Sequence, residues 1–377
     1  MMQKAASLLP DVKDLPVQPG MPDPLITGDG KNITTARQWE PHRAEMKRLI
    51  AHYAVGTMPP PPGNVRGREI QAQTVWDGRA TFRLVHLSFG PGERLGFDVA
   101  LFIPTVGKAP FPTIVHPSFS PTPGTGTTDG ESAAKGFADA LERGYAVLTY
   151  DYQTTAIDKP ETRTMGFFPA YPGYDWGAEG AWAWAISRCV DYLQTEKWVD
   201  KKKILAVGHS RLGKATLIAG AFDERFALVA PAGSGCFGTG AYRFCGKGRG
   251  GKEGLEAYTV RFPFHVSPRL PLFAGQVGRL PFDQHWLVAL VAPRPFIAAE
   301  AISDPYCNGN AAKQTFLAAK PVFALLGVPE RLGWNFRPGG HALTAEDWAA
   351  ILDFSDGQLR GRKISRRFDQ FPPLDRA

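Results

Sequence analysis

The alternation of short apolar runs with amphipathic helical patterns, from residue 112 to residue 359, constrains the fold more than any other feature of this chain. The runs are rich in β-branched and aromatic residues, as in residues 145–152 and 202–210, and a longer helical pattern separates each run from the next. Apolar strands joined through helices pair in parallel by right-handed crossovers. The alternation therefore predicts a mostly parallel central sheet with helices packed on it.

Three further strand-like runs precede this alternation and predict an antiparallel start. Residues 71–76, 80–89 and 96–104 are short and β-branched or aromatic, with Gly or Asp turns between them. An antiparallel lead-in followed by a parallel sheet between helices is the layout of the α/β-hydrolase fold, a three-layer α-β-α sandwich. We expect that fold.

The chain divides into four segments by composition. Residues 1–68 are rich in proline and predict an irregular arm with one helix, within residues 35–56, that packs on the core. Residues 69–360 form the expected catalytic domain, and residues 361–377 a polar tail. Within the domain, residues 236–286 have no long periodic pattern, which predicts a loop insertion over the site.

Composition excludes several classes of protein. Of 377 residues, 44% are hydrophobic and 21% charged, enough to bury a sizeable core, so a globally disordered chain is not expected. The net charge of +7 favours acidic ligands, but no dense Lys/Arg run is interleaved with aromatics, so nucleic acid is not an expected partner. No apolar run approaches the ~18 residues of a membrane helix, and no signal peptide is visible at the start. We expect no membrane partner.

The cysteines point to neither a disulfide scaffold nor a structural metal. There are four of them, and no C-x-x-C pair is present. We expect no metal site and no cofactor. Cys236 and Cys307 both fall in segments that we place near the site, which leaves open a bridge between them.

The segment "VGHSRLGKATLIAGAF", residues 207–222, contains the candidate nucleophile. Ser210 follows a strand and precedes a helix, as the serine of a nucleophile turn does. Gly208 allows a close backbone approach there, and Gly213 allows the first helical turn to pack against the strand. The alternative is that Ser210 only caps the helix.

The partners of this serine are expected after it in the order acid, then histidine. His341 follows the last strand-like run and is the candidate base, whereas His209 is expected to point away from the serine. The end of the strand-like run 292–301 and the loop after it offer two acids, Glu300 and Asp304. We prefer Asp304, because Glu300 is expected inside the strand. The alternative for Asp304 is an aspartate that opens a turn.

Two cationic residues follow the serine directly. Arg211 supplies the backbone N–H that usually binds the oxyanion, and its guanidinium adds a positive charge. Lys214, one helical turn on, is positioned to reach sugar hydroxyls, and the alternative is a solvated helix residue.

These residues lie in segments that resemble the glucuronoyl esterases. The segment "GHSRLGKATLIAGAFDERFALVAPAGSG" resembles the G-C/H-S-R-x-G-K segment of that family, and "LPFDQHWLVALVAPRPF" and "LGVPERLGWNFRPGGHA" are similar to two later blocks. The likeness runs from roughly residue 22 to residue 359. It implies a bacterial-type serine carboxylesterase that hydrolyses esters of (4-O-methyl-)glucuronic acid, as in lignin-carbohydrate links on glucuronoxylan. It further implies secretion or a periplasmic location, and we expect a monomer.

Carried over by position, the resemblance implies that Ser210 is the nucleophile, His341 the base and Arg211 an oxyanion-stabilising residue. Lys214 would contact the glucuronate, and Glu253 matches a glutamate that binds the sugar in some members.

Two positions depart from the family pattern. Gly233 stands where many members have the triad glutamate, and Asp304 matches the acid that some bacterial members have after a later strand. Tyr306 stands where a tryptophan frequently lines the sugar site; a tyrosine still stacks and hydrogen-bonds. These departures leave two alternatives open: an acetyl xylan or general carbohydrate esterase, and a carbohydrate-binding descendant of the fold that has lost catalysis.

Overall fold

The computed structural model describes residues 9–119, 128–246 and 252–374. Within these ranges nine strands form one sheet: β1 Arg66–Val75, β2 Ala80–Phe89, β3 Leu95–Pro104, β4 Phe111–Ser118, β5 Ala146–Asp151, β6 Val199–His209, β7 Leu228–Ala232, β8 Phe296–Ala301 and β9 Leu332–Arg337. The described helices are α1 Ala36–Ile50, α2 Thr128–Glu142, α3 Ala178–Leu193, α4 Arg211–Phe222, α5 Leu255–Arg261, α6 His285–Val291, α7 Gly309–Leu325 and α8 Ala345–Arg360.

The strands are arranged in the order β1-β2-β3-β5-β4-β6-β7-β8-β9. The pairs β1–β2, β2–β3 and β3–β5 are antiparallel, and every pair from β5–β4 to β8–β9 is parallel. The predicted parallel sheet with an antiparallel lead-in is therefore confirmed. Strand β7 was not predicted, because its five residues lie directly beyond α4 and show no alternation.

Helices cover both faces of the sheet, which gives three layers. On one face α2 and α8 bury Phe137 and Trp348 against each other, with ring centroids 5.8 Å apart. On the other face α3, α4, α6 and α7 pack over a larger core, whose fully buried side chains include Trp182 and Leu217.

The N-terminal segment packs on this larger core through α1. Trp39 and Met46 of α1 are fully buried, and the Trp286 indole N–H of α6 donates to the Pro22 carbonyl at 3.1 Å. Strand β1 begins at Arg66, which lies inside the segment expected to be an irregular arm, so that boundary was set too late.

The C-terminal segment, expected as a polar tail, covers the edge of the sheet. The Trp334 N–H of β9 donates to the Phe368 carbonyl at 2.8 Å, and the Phe371 ring stacks on Trp334 at 4.4 Å. An edge strand covered in this way does not offer its backbone to another chain.

Residues 236–286 contain α5 and several single turns, and residues 247–251 lie outside the described ranges. In a parallel sheet the loops after the strands meet at one edge, which is where ligands bind in open α/β folds. The loops after β6, β8 and β9 hold Ser210, Asp304 and His341 at that edge.

Candidate active site

Ser210 occupies the tight turn between β6 and α4. Its backbone has φ +58° and ψ −128°, a conformation that is rare for a residue with a side chain, and its N–H donates to the Ala232 carbonyl at 2.9 Å. A Cβ at Gly208 would lie 2.3 Å from Thr216 Oγ1, and one at Gly213 would lie 2.9 Å from the Ala232 oxygen. Both glycines are therefore required by the close packing of strand and helix, as expected.

Ser210, His341 and Asp304 form one line of hydrogen bonds. His341 Nε2 lies 2.8 Å from Ser210 Oγ, and His341 Nδ1 lies 2.7 Å from Asp304 Oδ2. The other carboxylate oxygen of Asp304 accepts the N–H groups of Tyr306 at 2.8 Å and Cys307 at 3.1 Å. This is the arrangement of a nucleophile, a base and a group that orients the base.

Asp304 is held as a carboxylate although it is almost fully buried. Burial by itself would raise its pKa, but the hydrogen bond and charge of His341, the Tyr306 N–H and the Cys307 side chain lower it below the ordinary value. A carboxylate at His341 Nδ1 fixes the tautomer in which Nε2 accepts the serine proton.

Glu300, the other acid considered, lies inside β8 as expected and away from His341. Its Oε1 accepts the Thr239 hydroxyl at 2.5 Å, and burial raises the pKa of Glu300 to about 8. A carboxyl group that is neutral at pH 7 cannot stabilise an imidazolium by its charge.

The serine opens into a cavity of about 370 Å³. Every other sequence-predicted site residue lines it, while Asp304 lies behind His341. The lining residues are Phe119, His209, Ser210, Arg211, Lys214, Gly233, Glu253, Arg261, Phe262, Tyr306, Cys307 and His341.

Lys214 is buried in this cavity, so the alternative of a solvated helix residue is wrong. Its Nζ donates to the Ser234 carbonyl at 2.7 Å and to Glu253 Oε2 at 2.9 Å, and it lies 4.9 Å from the centre of the Tyr258 ring. Burial would lower the pKa of Lys214, but the charge of Glu253 outweighs it and the pKa is raised. The ammonium is therefore a fixed cation.

Arg211 is held from two sides. Its guanidinium forms an ion pair with Asp158 and lies 5.6 Å over the Phe262 ring, while 31% of the side chain remains exposed. Its backbone N–H belongs to the first turn of α4, where a helix has no carbonyl of its own to accept it.

Two rings flank His341. Tyr306 meets it edge-on at 5.2 Å, and the His209 ring lies 4.8 Å away. His209 was expected to point away from the serine; its side chain instead lines the same cavity and packs on the imidazole of His341.

The conceivable bridge between Cys236 and Cys307 is wrong, because all four cysteines are free. The Cys307 sulfur lies 3.9 Å from His341 Nδ1. Cys307 offers a ligand atom within 4.8 Å of those of Asp304 and His341. Burial raises its pKa well above the ordinary value, so it is a neutral thiol, and Asp304 and His341 are already hydrogen-bonded to each other. We interpret this group as part of the triad's surroundings rather than as a ligand set.

Sequence reasoning missed Asp158, which pairs with Arg211, and the cavity residues Arg261 and Phe262. Asp158 follows β5, and the rule that sites form beyond the carboxyl ends of strands was the available signal. Arg261 and Phe262 lie in the insertion, where no pattern distinguished them.

The strand order, the strand–serine–helix turn and the acid and histidine beyond it define the α/β-hydrolase class. A family model described as glucuronyl esterase of fungi matches residues 90–327, and the chain belongs to the glucuronyl esterase family.

Individual relatives agree with this assignment. A carbohydrate esterase from an unknown prokaryotic organism is 27% identical over an alignment that covers 90% of each chain. A 4-O-methyl-glucuronoyl methylesterase of Phanerochaete carnosa is 29% identical over 85% of this chain and 76% of its own. The structure of a glucuronoyl esterase from Solibacter usitatus superimposes with a TM-score of 0.82 at 26% identity, over 92% of this chain and 100% of that one.

Among the helices in the described ranges, none combines the length and the apolar character that a bilayer crossing requires.

Proposed function

We propose that this chain hydrolyses esters of (4-O-methyl-)glucuronic acid with a serine mechanism. The observation that carries the proposal is the continuous hydrogen bonding from Ser210 through His341 to Asp304, which opens into a cavity with two fixed cations. The names of the relatives support the acyl group, since several are 4-O-methyl-glucuronoyl methylesterases. Side chains alone supply this chemistry, so no cofactor is required.

The first half of the reaction forms an acyl-enzyme. Ser210 Oγ attacks the carbonyl carbon of the glucuronate ester while His341 Nε2 takes the hydroxyl proton, and Asp304 stabilises the resulting imidazolium. The negative charge on the carbonyl oxygen is stabilised by the Arg211 N–H and guanidinium. His341 then gives its proton to the leaving alcohol as the C–O bond breaks.

The second half repeats these steps with water. His341 removes a proton from the water that attacks the acyl-serine, and the proton returns to Ser210 Oγ when the glucuronate leaves. Lys214 and Glu253 offer a donor and an acceptor for the sugar hydroxyls, and the half-exposed ring of Tyr306 offers a face on which the pyranose packs.

Hydrolysis of benzyl glucuronate by the purified protein tests this proposal, with Ser210→Ala as the inactive variant. Ser303→Ala is the matched control, because it removes an exposed hydroxyl from the loop beside Asp304 and leaves the backbone hydrogen bond of Ser303 intact. We expect turnover by the wild type and by Ser303→Ala only.

Two other outcomes would replace the proposal. Cleavage of acetylated xylan or aryl acetates without cleavage of glucuronate esters identifies a general carbohydrate esterase. Binding of glucuronoxylan without turnover of any ester identifies a carbohydrate-binding protein.

The location and the state of assembly belong to the same proposal. A polymeric cell-wall substrate does not enter a cell, so we propose that the enzyme acts in the periplasm or outside the cell. We also propose that it is a monomer without a nucleic-acid or membrane partner. Cell fractionation and light scattering test these points; activity confined to the cytoplasm or a stable dimer would contradict them.

A further inference from the structure

Beneath Arg211 lies a series of polar side chains that the triad does not use. Asp158 accepts from Arg211, and its two oxygens also meet His265 Nε2 at 2.7 Å and the Tyr152 hydroxyl at 3.0 Å. His265 Nδ1 lies 3.0 Å from the Tyr258 hydroxyl, which in turn lies 3.1 Å from Glu179 Oε1. We call Glu179, Tyr258, His265 and Asp158 the buried chain.

The hydrogen bonds of the buried chain constrain where its protons lie. A carboxylate at Asp158 requires the N–H of His265 on Nε2, so Nδ1 of a neutral imidazole must accept, and the Tyr258 hydroxyl is its donor. The same hydroxyl also donates toward Glu179 Oε1 at 3.1 Å, so it is shared between His265 and Glu179. Burial raises the pKa of Glu179 and lowers that of His265, which agrees with both being neutral.

The charge of the buried chain is therefore on Asp158, which forms an ion pair with Arg211 at its end, while the Lys214 ammonium lies 4.9 Å from the centre of the Tyr258 ring. Its members come from separate parts of the sequence: Glu179 begins α3, Asp158 follows β5, and Tyr258 and His265 belong to the insertion. The Phe262 ring, also in the insertion, stacks on His265 at 4.6 Å and lies under the guanidinium of Arg211. The insertion thus contacts Arg211 both directly and through Asp158.

We infer that Asp158 is a positioning residue for Arg211, and that Glu179, Tyr258 and His265 fix the orientation in which Asp158 holds the guanidinium toward the serine. The inference rests on the proposed role of Arg211 at the oxyanion. A donor that is held in place before the reaction needs no reorganisation when charge develops, which is the condition for effective electrostatic stabilisation. An arginine without Asp158 would have to be ordered at each turnover.

The test begins with Asp158→Asn, which keeps the shape and removes the charge. We expect kcat on benzyl glucuronate to fall about 10- to 100-fold with KM nearly unchanged, less than the ~10²- to 10³-fold loss that follows removal of an oxyanion donor. In an Arg211→Ala background the same substitution should cause no further loss, because Asp158 acts through that guanidinium. An equal loss of kcat in both backgrounds would overturn the inference.

A milder variant tests the same inference with less risk of misfolding. Tyr258→Phe removes one hydroxyl from the buried chain and keeps the ring under Lys214, so we expect a two- to tenfold fall in kcat, the worth of one hydrogen bond. Tyr145→Phe is the matched control, since its buried hydroxyl donates to Asp356 at 2.9 Å away from the cavity. Equal kcat for the two variants would contradict the inference.

Failure of the proposed function is recognised separately, from absence of turnover by the wild type. In that event a crystal structure of Asp158→Asn decides the positioning role without any activity. A displaced or disordered Arg211 guanidinium supports the inference, and an unchanged guanidinium overturns it.

Discussion

Gly233 lies against the ring of His209, so that a Cβ at Gly233 would be 3.2 Å from His209 Nε2. The same Cβ would lie 3.7 Å from Asp304 Oδ2, and the backbone of Gly233 has φ +48°. Gly233 is the position at which many relatives are expected to carry the triad glutamate. In this chain His209 occupies the space beside it, and the carboxylate that hydrogen-bonds to His341 is that of Asp304, in the loop after β8.

Gly233→Glu is therefore expected to damage the enzyme rather than improve it. The new side chain meets His209 in a strained backbone conformation, which costs about 1–3 kcal/mol of stability and displaces the ring that packs on His341. We expect kcat on benzyl glucuronate to fall at least about tenfold, measured together with urea unfolding.

Two further variants separate the effect of backbone strain from the effect of contact with His209. Gly327→Glu has a similarly positive φ of +72° but open space around it, so it should lose stability and keep kcat. Adding His209→Ala to Gly233→Glu frees the space and should restore part of the activity. Full activity of Gly233→Glu alone would show that His209 does not compete for this position.

The order of the triad was predictable from the sequence because it depends on local signals. Ser210 stands between a strand and a helix, and His341 follows the last strand, so the order of these residues along the chain was enough to predict their roles. Asp304 followed from the expectation that Glu300 lies within β8. The contacts of Asp158 and His209 were not predictable, since they depend on how loops distant in sequence fold together. The short strand β7 lacked any periodicity.

Lys214→Met is expected to raise KM for benzyl glucuronate at least about tenfold, the cost of losing a hydrogen bond from a charged group. Hydrolysis of an aryl acetate, which has no sugar on its acyl side, should change much less. Adding Glu253→Gln should recover stability, because it removes the carboxylate left without its partner.

Lys320→Met is the control for this substitution, since Lys320 lies 5.5 Å over the Trp334 ring outside the cavity. Equal losses on the glucuronate ester and the acetate would contradict a role of Lys214 in sugar binding.

The raised pKa of Glu300 predicts that the folded protein loses stability toward alkaline pH. Its ordinary pKa of 4.5 is raised to about 8 in the folded protein, so the folded state holds a proton that the unfolded state releases between these values. The stability from this proton is complete below about pH 4.5 and falls by up to about 1.4 kcal/mol per pH unit until about pH 8. Glu300→Gln should remove that decline, as measured by urea unfolding across this range.

The comparison with an exposed carboxylate completes this experiment. Glu330→Gln, whose side chain is 63% exposed, should follow the wild-type curve because its carboxylate stays in solvent. Parallel curves for Glu300→Gln and the wild type would contradict a neutral Glu300.

Because all four cysteines are free, we expect four reactive thiols in a titration of the unfolded protein. The unfolded protein, prepared without reductant, should react with a thiol reagent at four sites per chain. Recovery of only two thiols would reveal a bridge, and activity should not change when a reductant is added.

Neutralisation of the triad acid tests the assignment of the catalytic residues most directly. Asp304→Asn keeps the size of the side chain but favours the wrong tautomer of His341, and we expect kcat on benzyl glucuronate to fall by the order of 10⁴-fold, as for triad aspartates in serine hydrolases. Asp98→Asn is the matched control, because Asp98 forms the same 2.7 Å hydrogen bond to a histidine, His86, on the surface, and it should keep wild-type kcat. If Asp304→Asn retains kcat within a few-fold of the wild type, Asp304 is not the triad acid.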